Sequence, residues 1–111
     1  MMDCIFCKIA KGEIPSIKVF ENENFFAVND INPKAKIHIL IIPKEHIESI
    51  KHLQDSHKNL IGEMFLAAQK IAKGKNLQGY KLVINVGREG GQLVDHLHLH
   101  LLSGEVDPLK V

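Results

Sequence analysis

The sequence lacks the features that direct a protein to nucleic acid, to a membrane or out of the cell. Its formal net charge is only +1 with histidines neutral, and acidic and basic residues are interspersed, so no strong field attracts nucleic acid or an anionic membrane. The longest aliphatic run, Ile39 to Ile42, cannot span a bilayer, and residues 1–15 lack the basic flank and apolar core of a signal peptide. We therefore expect a cytoplasmic protein with no nucleic-acid partner and no membrane partner.

Cysteine, tryptophan and tyrosine are also scarce. There is no tryptophan, one tyrosine and only two cysteines, Cys4 and Cys7, so a disulfide-rich scaffold is excluded and, in a reducing compartment, a metal or redox role is favoured. The rest of the composition is that of an ordinary globular protein, with 45% hydrophobic and 24% charged residues in a chain of 111. We expect one domain over residues 1–111.

Hydrophobic spacing along the chain predicts an α+β fold. A short helix over 3–12 is expected to begin with Asp3 as N-cap and to end at Gly12, and a long helix over 55–73 is expected to end at the left-handed cap Gly74. Runs rich in β-branched and aromatic residues predict strands at 16–22, 24–30, 37–43, 80–86 and 96–102. This order of elements predicts a five-stranded antiparallel sheet with the long helix packed on it.

The stretch DHLHLHLL places His96, His98 and His100 at alternate positions. In a strand the three imidazoles share one face, and the leucines between them share the other. Three interpretations remain open at this point: the polar side of a half-buried strand, a metal site, or covalent catalysis by a neutral imidazole near its ordinary pKa of about 6.5.

The connection before this stretch is unusually long for a hairpin. GREGGQLVD, residues 87–95, has nine residues, where a hairpin loop needs about two to five. Its glycines, Gly87, Gly90 and Gly91, can turn backbone N–H groups toward one anion without side chains in the way. Glycines most often only make a turn, but beside the histidines a bound phosphate would favour nucleophilic attack on phosphorus.

These motifs resemble the histidine triad family of nucleotide hydrolases and transferases, and the nucleotide-binding branch most closely. The likeness runs from about residue 3 to residue 104. It is carried by His96-Leu-His-Leu-His-Leu-Leu102, Gly90-Gly91-Gln92, Asp30-Ile-Asn-Pro33 and His38-Ile-Leu-Ile-Ile-Pro43-Lys44-Glu45-His46-Ile47. The resemblance implies a five-stranded α+β subunit that forms a homodimer, with a nucleoside monophosphate site on each subunit.

The resemblance also implies a reaction. A nucleotidyl group would pass from a purine nucleoside phosphoramidate, or a related nucleotide, to His98 and then to water, releasing AMP or GMP. His100 and His38 would bind the phosphate and help protonate the leaving amine. Alternatives are hydrolysis of dinucleoside polyphosphates, binding of purine nucleotides with little turnover, and a metallohydrolase built on the triad.

The same resemblance assigns the nucleotide-binding residues. Asp30 would hold the ribose hydroxyls, although an aspartate before Asn-Pro also starts turns. Leu93 stands where many members have serine or threonine, which removes a hydroxyl from the phosphate region. The remaining contacts would be Asn85, Gly91 and Gln92 for ribose and phosphate, and Ile5, Phe6, Ile9, Val28 and Ile31 for the base, most of which could equally be core.

Cys4 and Cys7 form a C-x-x-C pair at the opening of the first helix. A redox pair, two core cysteines and a structural zinc site are all compatible with this spacing, and zinc needs four thiolate or imidazole ligands. We expect His46 and His96 to complete such a site, as the resemblance to bacterial members with this C-x-x-C implies. The prediction is one structural zinc per chain, with His52 and His57 solvated.

Overall fold

The computed structural model describes residues 4–104 and 106. Five antiparallel strands form one sheet in the order β1-β2-β3-β5-β4, as the sequence predicts. The strands are β1 (Lys18–Glu21), β2 (Phe25–Asn29), β3 (Ile37–Pro43), β4 (Lys81–Val83) and β5 (Leu99–Ser103). The strand that is last in sequence therefore lies between β3 and β4, next to the centre of the sheet.

Two helices cover the sheet. They are α1 (Ile5–Ala10) and α2 (Lys58–Gly74), and short 3-10 turns cover Ile50–His52, Asp55–His57 and Arg88–Gly90. The N-cap of α1 is Cys4, whose Sγ accepts a hydrogen bond from the amide of Cys7, whereas the predicted N-cap Asp3 lies outside the described residues. Gly12 follows the helix with a φ of 78°, which confirms it as the stop.

The two faces of the sheet have separate cores. On one face, Met64, Ala68 and Ile71 of α2 pack against alternate residues of the central strands, including Ile39 and Leu101. On the other face, α1 covers a second cluster, which contains Cys4, Phe6, Ile9, Phe26, Val28, Leu40 and Ile42. Because α1 covers only part of that face, the remainder stays open around the histidines.

Three predicted boundaries are wrong in detail. Gly74 is the last helical residue of α2, and the left-handed residue after it is Asn76, with a φ of 57°. The strand predicted at 80–86 is paired only over 81–83. The strand predicted at 96–102 begins at Leu99. Continuing the pairing of β3 with β5 by two residues would set Pro43 opposite Leu97, and proline has no N–H to donate to a ladder.

In residues 4–104 and 106, no helix is both long enough and apolar enough to cross a membrane.

Candidate active site and metal site

The open part of the sheet forms a cleft of about 650 Å³, a volume in the range of small-molecule sites. Antiparallel pairing places alternate residues of neighbouring strands on the same face, so β2, β3 and β5 contribute side chains to one wall. The predicted site residues that line the cleft are Ile5, Phe6, Ile9, Val28, Asp30, Ile31, His38, Asn85, Gly91, Leu93, His98 and His100. Twelve of the predicted site residues therefore line one cleft.

One side of the cleft is apolar. Phe6, Ile9 and Val28 are buried against α1 and β2, and they form its floor. Ile31 and Leu93, which are 88% and 83% exposed, stand at its rim. Exposed apolar side chains beside a buried apolar floor are typical of a site that covers a flat, poorly hydrated group.

The side chain of His98 is held by its own backbone. Its Nδ1 lies 2.8 Å from the carbonyl oxygen of His96, and because a carbonyl can only accept, Nδ1 carries the proton. A neutral imidazole has one N–H, so Nε2 keeps its lone pair. Phe6 packs edge-on against the ring at 5.3 Å between centroids, and the residue is 8% exposed, so the orientation of this nitrogen is fixed.

His100, His38 and Asp30 form a hydrogen-bonded row beside His98. The Nε2 of His38 lies 2.9 Å from Nδ1 of His100 and 3.4 Å from Oδ2 of Asp30. Burial, together with the neighbouring His98 and His38, lowers the pKa of His100 to about 4. Burial also lowers the pKa of His38, although the Asp30 carboxylate opposes this effect. Both rings are therefore neutral at pH 7.

Asp30 makes a turn and also lies in the cleft. Its Oδ1 accepts the amide N–H of Asn32 at 2.8 Å, which is the turn that an Asp-x-Asn sequence favours. The same side chain lines the cleft next to His38. Asn85 faces the cleft as well, and its amide donates to the Gly90 carbonyl at 2.8 Å.

Gln92 has a different position from the other predicted nucleotide contacts. It is 3% exposed and is absent from the cleft lining. Its Oε1 accepts the amide of Gly87 at 2.9 Å, and its Nε2 donates to the carbonyls of Glu48 at 2.7 Å and Val94 at 2.9 Å. The side chain therefore fastens the glycine loop to the segment after β3.

An ion pair fixes the outside of the same loop. Arg88 makes two bonds to the Asp95 carboxylate, at 2.8 and 3.0 Å, and donates to the Gln92 carbonyl. Gly87 and Gly91 have φ values of 68° and 85°, which non-glycine residues adopt only with strain. The length of residues 87–95 is therefore used to build a braced turn at the cleft edge.

Cys4, Cys7, His46 and His96 meet at the end of the cleft floor, and their ligand atoms lie within 4.8 Å of one another. The Sγ of Cys4 is 3.3 Å from Nδ1 of His96, and the Sγ of Cys7 is 3.2 Å from Nδ1 of His46. Tetrahedral zinc with ordinary bond lengths separates a sulfur ligand from a nitrogen ligand by about 3.6 Å. The four residues are close enough to bind a metal ion.

The tautomer of His96 fits this role. Its Nε2 lies 2.7 Å from the carbonyl oxygen of Pro43, so Nε2 carries the proton and Nδ1 faces the thiols as a bare donor. A metal-bound imidazole commonly bonds a carbonyl in this way. Burial lowers the pKa of His96 to about 4, and burial raises the pKa of the Cys7 thiol, so His96 and Cys7 are neutral at pH 7 when no metal is bound.

The other two histidines lie away from both sites. Nδ1 of His52 is hydrogen-bonded to the Ser49 hydroxyl, and its Nε2 lies near the Glu48 carboxylate. Nε2 of His57 lies 3.1 Å from the Glu45 carboxylate, and its Nδ1 accepts the amide N–H of Gln54. The side chain of His57 is only 13% exposed, so its predicted solvation is wrong. It closes the turn before α2.

Some residues of the cleft were not anticipated from the sequence. Lys81 and Val83 on β4 line it, together with Leu102 of β5. The period of the YKLVINV run could have indicated them, because pairing of β4 with β5 sets Val83 opposite His100. The Lys34 amide, which bonds Nδ1 of His38 at 3.0 Å, has no sequence signature, since a backbone group carries none.

Fold and site together define an α+β protein with a histidine-lined cleft and a separate cysteine and histidine cluster. A family model described as "Scavenger mRNA decapping enzyme C-term binding" matches residues 3–110. Protein HitA of Neisseria gonorrhoeae is 46% identical over 107 residues, which are 96% of this chain and 100% of that protein.

Solved structures agree with the sequence matches. The HIT family hydrolase from Legionella pneumophila Philadelphia 1 superposes with a TM-score of 0.91 at 48% identity, covering 94% of this chain and 95% of that one. A histidine triad protein from Clostridium difficile has the same TM-score at 45% identity, with coverages of 97% and 96%. The chain belongs to the histidine triad (HIT) family.

Proposed function

We propose that this protein is a nucleotide hydrolase and nucleotidyl transferase that acts on the α-phosphorus of purine nucleoside phosphoramidates or related nucleotides. The observation that carries the proposal is the Nδ1–H bond from His98 to the His96 carbonyl, which leaves a bare nitrogen in a side chain that lines the cleft. The description of the Legionella relative as a hydrolase supports the same class of reaction.

The reaction takes place in two displacements. The Nε2 lone pair of His98 attacks the α-phosphorus, the P–N bond breaks, and its electron pair leaves with the amine, which takes up a proton. Water then attacks the phosphorus of the nucleotidyl-histidine, the new P–N bond breaks, and the histidine is regenerated as AMP or GMP departs. Splitting one hard step into two easier ones is the usual benefit of a covalent intermediate.

The remaining parts of the cleft suit the remaining parts of a nucleotide. The apolar floor of Phe6, Ile9 and Val28, with Ile5 and Ile31 at its edge, accommodates a purine base. Asp30 accepts hydrogen bonds from vicinal ribose hydroxyls. The phosphate is held by the pair His100 and His38, with Asn85 and Gly91 at the edge of the cleft and Gln92 bracing the loop behind them. The histidine pair also assists departure of the amine.

Leu93 favours a second candidate, a nucleotide-binding protein with little turnover. This exposed side chain lines the cleft and offers no hydroxyl to the phosphate or the leaving group. Hydrolysis of dinucleoside polyphosphates is an alternative within the enzyme class. Adduct formation with each substrate, and binding of AMP without turnover, separate these two candidates from the first proposal.

We also propose one structural zinc ion on Cys4, Cys7, His46 and His96. The donor set of two thiols and two imidazoles suits zinc, and the bare Nδ1 of His96 supports it. When bound, the ion supplies a rigid link between α1 and the backbone that precedes β5. The carbonyl that orients His98 belongs to His96, so the chain's own zinc ligand also fixes the nucleophile.

A homodimer is proposed through β4 and α2. β4 is the last strand in the spatial order of the described sheet, and a strand at a sheet edge readily adds another chain. Three large apolar side chains lie near this edge and on α2, and they are between 40% and 56% exposed: Tyr80, just before β4, and Phe65 and Leu66 on α2. Sedimentation equilibrium of the wild type and of Leu66→Glu tests this, with a shift of the variant toward monomer as the expected result.

The central experiment is intact-mass spectrometry during turnover. An adenosine or guanosine phosphoramidate should add one nucleotidyl group to the wild-type chain and none to His98→Ala, whose turnover should be abolished. His52→Ala, a histidine outside the cleft, is the matched control and should form the adduct normally. Normal turnover by His98→Ala refutes the mechanism.

The same assay separates the alternatives. Faster adduct formation with a dinucleoside polyphosphate than with the phosphoramidate favours the polyphosphate hydrolase. Tight binding of AMP without a burst of product favours the binding protein. Activity that is lost with a chelator, returns with metal and forms no adduct favours a metallohydrolase.

A further inference from the structure

We propose that the backbone amide of Lys34 fixes His38 and His100 as neutral tautomers, so that His100 acts on the phosphate as a hydrogen-bond donor and not as an acid. The catalytic part of this inference rests on the function proposed above. The structural part concerns only the positions of protons in the free protein.

The first step concerns His38. The amide N–H of Lys34 points at Nδ1 of His38 with a nitrogen-to-nitrogen distance of 3.0 Å. An amide nitrogen can only donate, so Nδ1 must accept and cannot carry a proton. The single proton of the neutral ring is therefore on Nε2.

The second step deduces the tautomer of His100 from that of His38. The Nε2–H of His38 lies 2.9 Å from Nδ1 of His100, with Oδ2 of Asp30 a more distant acceptor at 3.4 Å. Nδ1 of His100 therefore accepts, and its own proton is on Nε2. Within residues 4–104 and 106, Nε2 of His100 has no protein hydrogen-bond partner, in a side chain that lines the cleft.

The third step compares His100 with His98. Their ring centroids are 4.8 Å apart, yet His98 has its proton on Nδ1 and His100 on Nε2. The two neighbouring rings thus offer a bare nitrogen and an N–H, which are the groups that an attack on phosphorus and a phosphoryl oxygen require. In the opposite tautomer, the lone pair of His100 would face anionic oxygens.

The same contacts oppose protonation of either ring. An imidazolium at His100 would direct Nδ1–H at the Nε2–H of His38, and an imidazolium at His38 would direct Nδ1–H at the Lys34 amide. Burial lowers the pKa of both rings, and the titratable groups that face the pair are Asp30, Lys34 and His98. The proton for the departing amine therefore comes from the substrate or from water.

The tautomers of His38 and His100 are tested by NMR without any substrate. Nitrogen-15 spectra of the histidine rings should show His38 and His100 protonated at Nε2 and His98 protonated at Nδ1. A coupling across the hydrogen bond between the Lys34 amide nitrogen and Nδ1 of His38 should be measurable in the wild-type protein. A bare Nε2 on His38 or His100, or the absence of this coupling, overturns the proposal.

Variants at Lys34 test the cause. Lys34→Pro deletes the N–H and follows Pro33 in a segment outside regular structure. We expect it to shift the tautomer ratio of His38 about fivefold, the size expected for one neutral hydrogen bond. Lys34→Ala keeps the N–H and should keep the wild-type tautomers. Equal spectra for Lys34→Pro and Lys34→Ala overturn the proposal, and the wild-type coupling decides it if Lys34→Pro does not fold.

Variants at His100 test the catalytic role. Glutamine places an amide N–H near the position of Nε2 but cannot give up a proton, so His100→Gln should keep activity within about tenfold of wild type, whereas His100→Leu should lose about 100-fold or more. Equal losses in both variants mean that His100 is an acid. If no adduct forms on His98 in any protein, the proposed function fails, but the NMR result still decides the tautomers.

Discussion

The buried Gln92 side chain makes the sharpest stability prediction. Replacing it with leucine, which has nearly the same size, removes one acceptor and two donors at once. The groups left behind are the amide of Gly87 and the carbonyls of Glu48 and Val94. Two of these contacts hold the glycine loop together and the third joins it to the segment after β3, so Gln92→Leu loosens the loop without opening a large cavity.

The magnitude follows from counting the contacts. A neutral hydrogen bond contributes about 1 kcal/mol net, so three lost bonds cost about 3 kcal/mol. In a domain of this size, 1 kcal/mol corresponds to about 4 °C in Tm, and we expect a decrease of about 12 °C. Glu89→Ala, at an exposed position of the same loop, should stay within about 0.5 kcal/mol of wild type.

Thermal unfolding and nucleotide titration on the same samples provide the assay. If Gln92 mainly braces the loop, Gln92→Leu lowers Tm strongly, and nucleotide affinity falls only as far as the loop loses order. If Gln92 instead contacts the nucleotide directly, Gln92→Leu lowers nucleotide affinity with little change in Tm. A Tm within about 3 °C of wild type, or equal to that of Glu89→Ala, would refute the reasoning.

Three further predictions concern protons, a missing hydroxyl and the metal. The pKa of His100 is lowered to about 4, so its ring resonances should titrate near pH 4 in an NMR titration, and a midpoint near 6.5 would contradict its burial. As pH falls, the unfolded chain binds this proton near pH 6.5, before the folded protein does. The stability contributed by the neutral His100 ring is therefore complete above pH 6.5 and is lost as pH falls toward 4, so the urea midpoint should be lower at pH 4 than at pH 6.5. Leu93→Ser restores one donor to the phosphate and should raise kcat about tenfold over both wild type and Leu93→Ala, since a bond to a charged group is worth about 1.5 kcal/mol. Chelation should release about one zinc per chain and lower Tm, Cys7→Ser should lower it equally, and chelation of Cys7→Ser should add little, whereas full additivity would mean that Cys7 is not a ligand.

The sequence was sufficient for the architecture because its strongest periodic patterns fall on the core. The alternation of leucine with histidine predicts that Leu97, Leu99 and Leu101 are buried, and they are the most deeply buried leucines of the described chain. The alternation holds even at Leu97, before the strand begins, because its amide bonds the Ile47 carbonyl at 2.7 Å. Side-chain pattern therefore predicted burial better than it predicted the limits of strands.

The cysteine and histidine cluster was predicted from residue types and family resemblance, and the structure brings the four residues together. What the sequence could not provide was the direction of the protons. The carbonyls of Pro43 and His96 and the amide of Lys34 each fix one imidazole. Backbone groups are the same at every position, so only their placement in three dimensions shows which histidine is bare and at which nitrogen.

The position of β5 has a consequence for synthesis. This strand is the last of the five to leave the ribosome, yet β3 and β4 meet only through it. Before residues 96–103 are available, a growing chain can form the β1-β2-β3 meander, but β4 has no neighbour and neither the nucleophile nor the His96 ligand is present. Pairing β3 with β5 closes a loop of more than fifty residues, a non-local step that slows folding. The five-stranded sheet, the metal cluster and the cleft should therefore be completed together, and a nascent chain that stalls before residue 96 should complete none of them.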